Sequence, residues 1–404
     1  MDPSGRIRPV SARRNWLLFL TAGVFLGLTG GLYDTSLNNY LNDVFHVSAS
    51  FRGQLEFPRE LPGVWVVVIT GLFAMLPEAR LAAIVVGLWA AGLFGMALFV
   101  PDRSMLVVWM MTASIGMHIY MPLCQSLGVS VAGDEQVGSK LGKLAAANTA
   151  AIILGTLIIW LGMRYCKFSY VTIYLIAAAA AVLALICLVL IRTGRRHAGS
   201  KPRFVYKPRY SLFYVLNILF GARKQIFVTF APWVIIKLYG QPAATIAILT
   251  MIASVLGIGF KPLVGRLIDV WGERRVLIGE SCCLILVCLG YATGNSPLLP
   301  GRQIGLYLTY TCYILDQLLF AASMARTTYL NKIADDPGDL TPTLALGTSL
   351  DHVVSMLAPT LGGFIWVRYG YHYVFLGAAM IAAINLFAAN RIRIPAKTDA
   401  ASVN

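Results

Sequence analysis

Two adjacent cations at the centre of a long apolar segment are the first residues of this chain that could do chemistry. The segment covers residues 210–239, and Arg223 and Lys224 lie near its middle. It exceeds the roughly 20 residues that a helix needs to cross a bilayer. An ionised group at mid-membrane depth is costly, so such groups nearly always face water or a counter-charge. We therefore expect this helix to line a polar path that favours negative charge.

These cations suit the recognition of a small anion. An arginine offers a fork to a carboxylate or phosphate, and a lysine offers a point charge. Asn217 lies seven residues before Lys224 on the same helical face, and Phe227 follows Arg223 at i+4. Asn38, in the first apolar segment, stands at i+4 from Asp34 and shares its helical face. We predict that Arg223, Lys224, Asn217, Asn38 and Phe227 bind substrate.

Carboxylates in other apolar segments are candidates for carrying a proton. They are Asp34, Asp316 and Asp351, the last followed directly by His352. A carboxylate in a dry interface binds a proton more readily than it does in water. Two alternatives remain open. The cations could do no more than neutralise Asp316 or Asp351, and Asp34 could be a helix-end residue if the first segment stops near Tyr33.

Three charged residues at the start of the second apolar segment have helical spacing. Glu56, Arg59 and Glu60 stand at i, i+3 and i+4, which places them on one face and indicates an internal ion pair. We expect them to have a structural or gating role. His118, in the fourth segment, is open to two interpretations: a satisfied polar residue or a group that titrates near neutrality.

The composition identifies an integral membrane protein. Of 404 residues, 58% are hydrophobic and 13% are charged, against about 25% charged in a soluble domain. Mean hydropathy is +0.71. Twelve apolar segments are predicted, at residues 16–42, 51–76, 81–100, 105–132, 141–163, 170–191, 210–239, 243–264, 276–293, 304–333, 344–367 and 373–389. The seven cysteines lack metal-ligand spacing, and we find no phosphate-binding loop or nucleophile motif, so neither an enzyme nor a cofactor is expected.

The distribution of charge predicts the topology. The net charge is +15, but the basic residues gather before the first segment, in one central loop and after the last segment. This is the positive-inside pattern of a multi-pass protein of the inner membrane with both termini cytoplasmic, and it argues against nucleic-acid binding. The predicted domains are 1–191, a basic cytoplasmic linker at 192–209, a second domain at 210–394 and a tail at 395–404.

A loop after the eighth segment carries the sharpest motif. Gly265 to Arg275 reads GRLIDVWGERR and resembles the signature loop of the major facilitator superfamily. The equivalent loop after the second segment has Met75 where Asp269 would fall. The resemblance implies twelve transmembrane helices in two pseudo-symmetric six-helix bundles. The gating residues that it implies are Gly265 for close helix approach, Arg266 and Arg274 for holding the loop inside, and Asp269 for pairing with an arginine.

Taken with the cation pair, the resemblance predicts a secondary active transporter driven by a proton or other ion gradient. Its expected partners are a small, anionic solute and the lipid bilayer, and a monomer is expected. The chief alternative is a multidrug or metabolite efflux antiporter of the same fold, because Phe220, Phe227, Phe230 and Trp233 would suit apolar substrates. A non-transporting sensor built on that fold is a third hypothesis.

Overall fold

Helices make up the regular structure of the part of the chain that the structure describes. A computed structural model describes residues 9–72, 76–132, 137–192, 206–296 and 300–394. The helices are α1 (Pro9–Asp43), α2 (Ala49–Gln54), α3 (Glu56–Leu72), α4 (Glu78–Leu98), α5 (Arg103–Ala132), α6 (Val137–Tyr165), α7 (Tyr170–Leu190), α8 (Ser211–Tyr239), α9 (Ala243–Thr293), α10 (Arg302–Leu319), α11 (Ser323–Ile333), α12 (Pro337–Tyr369) and α13 (Tyr371–Asn390). Met75, most of the predicted linker and the predicted tail lie outside the described residues.

Helix α9 contains two of the predicted segments. Its 51 residues would be about 76 Å long if straight, more than twice the ~30 Å hydrocarbon core. Gly272 interrupts it with a φ of 80° and a ψ of 162°, a left-handed conformation that favours glycine. On either side of this break, Thr250 Oγ1 lies 3.1 Å from Tyr313 Oη and Gly290 packs against Cys312. The chain therefore reverses at Gly272.

The other predicted segments have counterparts among the described residues. Ten helices there are long and apolar enough to cross a membrane, counting α9 once. Helices α2 and α3, separated at Leu55, together occupy the second predicted segment. Helices α10 and α11, joined by a 3-10 turn at Phe320–Ala322, occupy the tenth. The all-α membrane fold is thus confirmed, with helices at all twelve predicted positions.

Two helix ends differ from the prediction in ways that affect the site. Helix α12 begins at Pro337 rather than near Leu344, because proline is well suited to a first helical position. Helix α1 continues to Asp43. Asp34 therefore lies inside a helix, and the alternative in which it terminates the first segment is wrong.

Helices α1 and α4–α7 pack mainly on one another, as do α8–α10 and α13, whereas α12 packs about equally on α8 and α13 and on α2 and α3. We refer to residues 9–192 and 206–394 as the first and second halves; their division into two separate domains remains a prediction. The terminal face is the side on which α1 begins and α13 ends, and the distal face is the opposite side. Contacts between the halves include those of α2 and α3 with α12 and those of α6 with α9.

The halves meet closely towards the distal face. A Cβ on Gly53 of α2 would lie 2.1 Å from the Pro359 carbonyl oxygen, and a Cβ on Gly363 would lie 2.6 Å from the Ala49 carbonyl oxygen. Only glycine permits this approach of α2 to α12. Nearby, Asn39 donates a hydrogen bond of 3.1 Å to the Gln241 backbone oxygen. The distal side is therefore sealed where these helices meet.

Candidate functional site

Arg223 is enclosed by two carboxylates. Its side chain is 3% exposed, its Nη1 lies 2.8 Å from Asp316 Oδ1, and its Nη2 lies 3.2 Å from Glu280 Oε1. The rings of Phe220 and Phe320 are also within cation–π distance, with Cζ of Arg223 5.3 and 4.9 Å from their centroids. In this conformation Arg223 balances buried negative charge, which is the alternative that the sequence had left open.

Lys224 lies in a wetter position than its neighbour. Its Nζ is 2.8 Å from Asp351 Oδ2, and the two side chains are 20% and 15% exposed. Asp351 contributes to a cavity of about 220 Å³ between α8, α11 and α12. Residues that line this cavity include Phe213, Asn217, Phe220, Arg326, Thr348 and Asp351. We call it the α8–α12 cavity; its wall residues come from the parts of these helices between mid-membrane and the terminal face.

The other predicted substrate-binding residues divide between the cavity and the core. Asn217 lines the α8–α12 cavity, with its Nδ2 bonded to the Phe213 backbone oxygen at 2.8 Å. Phe227 is fully buried and packs on Tyr291 and Phe375. Asn38 belongs to the opposite half of the chain. The structure thus places Asn217 in the wall of the cavity, pairs Lys224 with the wall residue Asp351, and keeps Phe227 within the core.

Arg326 and Glu280 were not predicted as members of the site. Arg326 is buried, its Cζ lies 3.7 Å from the Phe220 ring centroid, and its Nη1 lies 3.6 Å from Glu280 Oε2. Glu280 also binds Arg223, so it joins two cations. An arginine within the predicted segment 304–333 was the available signal for Arg326. Glu280 lies near the start of the predicted segment 276–293, and its position in the sequence gave no indication of a central site.

Several polar atoms of this second-half cluster lack partners. Asp316 Oδ2, Glu280 Oε2 and Arg326 Nη2 are buried, and none has a hydrogen-bond partner among the described residues. Burying such an atom without a partner is unfavourable. The cluster therefore has capacity for a proton or a water molecule.

The first half holds a second buried cluster, formed mainly by neighbouring residues. Arg59 Nε lies 2.6 Å from Glu56 Oε2, and Arg59 Nη2 lies 3.1 Å from Glu60 Oε1. Arg52, which was not predicted, also pairs with Glu56 and donates from Nε to Asn38 Oδ1 at 2.7 Å. The predicted ion pairing by helical spacing is present. The carbonyl oxygen of Asn38 is engaged by Arg52.

Asp34 faces the interior between the two halves. Asp34 is exposed, although it lies inside the long helix α1. Charged neighbours within electrostatic range include Arg59 and Glu56 of the first half, and the hydroxyl of Tyr313 in the second half is also within range. A carboxylate with such neighbours is directed to the central space rather than to lipid.

Two side chains of the second half bind the first-half cluster directly. Gln225 Nε2 lies 2.7 Å from Glu56 Oε2 and 3.4 Å from Glu60 Oε1. His352 Nδ1 lies 2.9 Å from Glu60 Oε2, and His118 Nε2 lies 3.6 Å from the same oxygen. Gln225 was missed, although the sequence shows an amide side chain directly after Lys224 in the centre of an apolar segment. These contacts connect the halves at mid-membrane.

The signature loop has a different arrangement from the one predicted. An added Cβ on Gly265 would meet no described atom within 4 Å, so the predicted close helix approach at this glycine is wrong for this conformation. Arg266 and Asp269 are exposed. Arg274 donates to Asn390 Oδ1 at 2.5 Å.

In this loop an ion pair is formed by Glu273, a residue that was not predicted to have a role. Glu273 is fully buried, and its Oε1 lies 2.6 Å from the Nζ of Lys332 at the end of α11.

Comparison with known proteins gives a consistent result. The family model described as Major Facilitator Superfamily matches residues 63–339. No curated protein sequence matches the chain significantly. The solved structure of the nucleoside transporter NupG has a TM-score of 0.74 at 15% identity, covering 93% of this chain and 98% of that one.

Two further solved structures have similar scores. A bacterial homologue of the human lysosomal transporter Spinster, in an inward-facing and occupied conformation, has a TM-score of 0.70 at 13% identity, covering 94% and 96% of the two chains. The inward-open xylose transporter XylE from E. coli has a TM-score of 0.68 at 13% identity, covering 95% and 97%. At these identities the likeness shows the fold.

Proposed function

The chain belongs to the major facilitator superfamily, and on that premise we propose that it moves a small organic anion across the cytoplasmic membrane together with a proton. The observation that carries the proposal is the ion pair between Lys224 and Asp351 at the edge of the α8–α12 cavity. The family supplies the alternating-access cycle of a secondary transporter. The pair supplies a cation for the cargo and an acid for the proton.

The cavity combines positive charge with neutral polar groups. Lys224 is partly exposed beside it, Arg326 lines it, and Asn217, Thr327 and Thr348 provide an amide and hydroxyl groups. Phe213 and Phe220 provide apolar walls. A ligand site of this kind binds a small molecule through a few polar contacts set in an apolar surface. A carboxylate or phosphate group on the cargo would bind the Lys224 ammonium.

Competition for Lys224 would couple the proton to the anion. While Asp351 is ionised, it occupies the Lys224 ammonium at 2.8 Å. Protonation of Asp351 removes that negative charge and frees Lys224 for an anion. Loss of the proton on the other side of the membrane restores the ion pair and expels the anion. Each ligand then favours the binding of the other, as linkage requires.

Other carboxylates provide further proton sites. Asp316 Oδ2 is buried and lacks a hydrogen-bond partner among the described residues, so it can hold a proton while Oδ1 still accepts the hydrogen bond from Arg223. Asp34 is exposed to the central space. His352 contacts Glu60 of the other half, so its protonation would change a contact that crosses the interface.

The conformation fits a carrier that is open on one side. The halves meet at the distal face and at mid-membrane, whereas the α8–α12 cavity lies towards the terminal face. The charge distribution would place the terminal face in the cytoplasm. On this assignment, the structure corresponds to a cytoplasm-facing state of a monomeric carrier.

A ligand screen followed by transport measurements would test the proposal. Purified protein is melted with small carboxylates, phosphate esters, nucleosides and sugars, and the Lys224→Gln variant is melted beside it. We expect an anion to stabilise the wild-type protein and to lose that effect in Lys224→Gln. That anion should then enter reconstituted vesicles faster under an imposed pH gradient. Equal uptake with and without the gradient would remove the proton from the mechanism.

A neutral polar solute is a second candidate cargo. The observation that favours it is that Arg223 and Lys224 are both paired with acids, as they would be if they served only charge balance. The structurally similar NupG is a nucleoside transporter and XylE is a xylose transporter. Stabilisation by a nucleoside or sugar, equal in wild-type and Lys224→Gln protein, would support this candidate over an anion.

A further inference from the structure

Two histidines and a glutamate from three helices converge between the halves. Glu60 of α3, His118 of α5 and His352 of α12 each offer one ligand atom, and these atoms lie within 4.8 Å of one another. All three side chains are at most 11% exposed. We propose that this cluster, the His–Glu site, binds a divalent transition metal ion such as Zn²⁺ and thereby holds the two halves together.

The ring of His118 is already oriented as a metal ligand. Its Nδ1 lies 3.0 Å from the Ser114 backbone oxygen, which can only accept, so Nδ1 carries the hydrogen. Ser114 Oγ lies 2.9 Å from the same nitrogen and itself donates to the Arg59 backbone oxygen. Nε2 is left with its lone pair towards Glu60. Fixing one imidazole nitrogen so that the other can bind a metal is typical of ligating histidines.

Glu60 directs one of its two carboxylate oxygens at both imidazole rings. Arg59 and Gln225 both contact Oε1, at 3.1 and 3.4 Å. Oε2 faces the two histidines instead, at 2.9 Å from His352 Nδ1 and 3.6 Å from His118 Nε2. The contacts to Oε1 therefore orient the carboxylate. Oε2 accepts a hydrogen bond from His352 Nδ1, and a bound cation would take the place of that hydrogen.

The structure also makes room for the third ligand. A Cβ on Gly63 would lie 2.6 Å from Nδ1 of His352, so the imidazole occupies space that only glycine leaves free. Gly63 follows Glu60 by three residues on α3 and shares its face. The same helix therefore provides one ligand and the space for another.

The chemistry of the three ligands selects the ion. Two imidazoles and one carboxylate form a common zinc-binding set, with the fourth position taken by water. Zinc bonds of about 2.0–2.1 Å place ligand atoms roughly 3.3 Å apart in a tetrahedron. Glu60 Oε2 is already near that distance from both nitrogens, so the two rings need only approach each other. Mg²⁺ and Ca²⁺ prefer oxygen ligands and should bind poorly.

Occupation of the His–Glu site would arrest the transport cycle. Glu60 and His118 belong to the first half and His352 to the second, so the bound ion bridges the interface at mid-membrane. Opening towards the distal face requires α3 and α5 to separate from α12. A bridging metal stabilises the closed arrangement by its differential affinity for that state. This inference rests on the family fold and does not depend on the cargo.

Calorimetry with Zn²⁺ alone tests the site on purified full-length protein. We expect one Zn²⁺ to bind per chain and to raise the melting temperature, with no comparable effect of Mg²⁺. His118→Ala and His352→Ala should each lower Zn²⁺ affinity at least 100-fold, because each removes a ligand. Ser114→Ala should lower it about tenfold through loss of ring orientation. His372→Ala, which changes a histidine outside the cluster, should bind Zn²⁺ like the wild type.

The result that overturns the proposal is equally specific. Retained Zn²⁺ affinity in either His118→Ala or His352→Ala would show that no ion bridges the halves here. Wild-type binding no tighter for Zn²⁺ than for Mg²⁺ would have the same meaning. Melting temperatures of the metal-free variants identify any that fail to fold, and Ser114→Ala, which keeps all three ligands, then supplies the test.

Discussion

The two buried charge clusters of this protein are built in opposite ways. In the first half, Arg52, Glu56, Arg59 and Glu60 come from nine consecutive residues on α2 and α3 and pair with one another. In the second half, the charged residues come from five helices, α8 to α12. They are Arg223, Lys224, Glu280, Asp316, Arg326 and Asp351.

This difference has consequences for function. The first-half cluster is short-range and can form as soon as its helix turns form, and it serves as a fixed surface for Gln225 and His352. The second-half cluster requires five helices to assemble and borders the α8–α12 cavity. Three of its buried polar atoms have no hydrogen-bond partner among the described residues. A set of charges that is incompletely paired and accessible from a cavity can exchange protons and ligands. We therefore expect the first-half cluster to have a structural role and the second-half cluster to couple proton binding to ligand binding.

The largest expected effect comes from removing the central cation of the second-half cluster. Arg223→Leu leaves Asp316 and Glu280 without their shared partner in a buried site. Breaking a buried ion pair by removing one side is destabilising by about 3–5 kcal/mol, so we expect a large fall in melting temperature and no transport. The fall in melting temperature is measured on the detergent-purified variant beside the wild-type protein.

A compensating variant distinguishes charge balance from packing. Arg223→Leu combined with Asp316→Leu removes one charge of each sign, and it should recover part of the lost melting temperature. An unchanged melting temperature for Arg223→Leu alone would contradict the long-range assembly of this cluster.

A smaller loss of stability is expected in the first-half cluster. Arg59→Gln weakens hydrogen bonds to Glu56 and Glu60, but Arg52 still pairs with Glu56. Hydrogen bonds to charged groups contribute about 1.5–3 kcal/mol, so the melting temperature should fall less than for Arg223→Leu. Protein that folds should keep its dependence on an imposed pH gradient. A folded Arg59→Gln protein that had lost this dependence would move coupling into the first half.

The contrast between the clusters also explains what the sequence could predict. The i, i+3 and i+4 spacing of Glu56, Arg59 and Glu60 is a local property, so their ion pairing was predictable. The membrane segments follow from apolar length alone. Arg326 and Glu280 were missed as site residues because their contacts depend on which faces of α9 and α11 meet α8, and no local pattern determines that.

One predicted role was wrong for a conformational reason. Gly265 was expected to allow close helix approach, as the motif implies, but the structure holds no described atom within 4 Å of its would-be Cβ. A motif indicates which residues a loop contains without indicating which state of the cycle brings them into contact. Gly53 and Gly363, which do permit close contact between the halves, lie at the distal face.

Gln225→Leu probes the connection between the two halves. The variant removes the hydrogen bonds from α8 to Glu56 and Glu60 while leaving both clusters intact. A hydrogen bond to a charged group contributes about 1.5–3 kcal/mol, equivalent to a roughly 10- to 150-fold change in an equilibrium. We expect a shift of that size away from the distal-closed state, measured as the distance distribution between spin labels on the two halves.

The matched control for that variant is Gln241→Ala. Asn39 bonds to the backbone oxygen of Gln241, so the contact between halves survives loss of the Gln241 side chain. The distance distribution should then stay as in the wild type. An equal shift in both variants would mean that Gln225 has no special part in joining the halves.

The smallest effect is expected for an ion pair outside both clusters. Arg209 Nη1 lies 2.7 Å from Asp335 Oδ1 near the terminal face, with side chains 49% and 42% exposed. Exposed pairs contribute at most about 1 kcal/mol and are screened by salt, so Arg209→Ala should change the melting temperature little at low salt and not at all at high salt. A second ion pair, between Lys207 and Asp339, lies close to this one. The hydrogen bond to Asp339 raises the pKa of Lys207, so the Lys207–Asp339 pair is fully formed below the ordinary lysine pKa of about 10.4 and is lost only as pH rises through the raised pKa. A melting series at pH 7 therefore isolates the contribution of Arg209. If the melting temperature of Arg209→Ala fell as far as that of Arg59→Gln, the exposed ion pairs as well as the buried clusters would stabilise the second half.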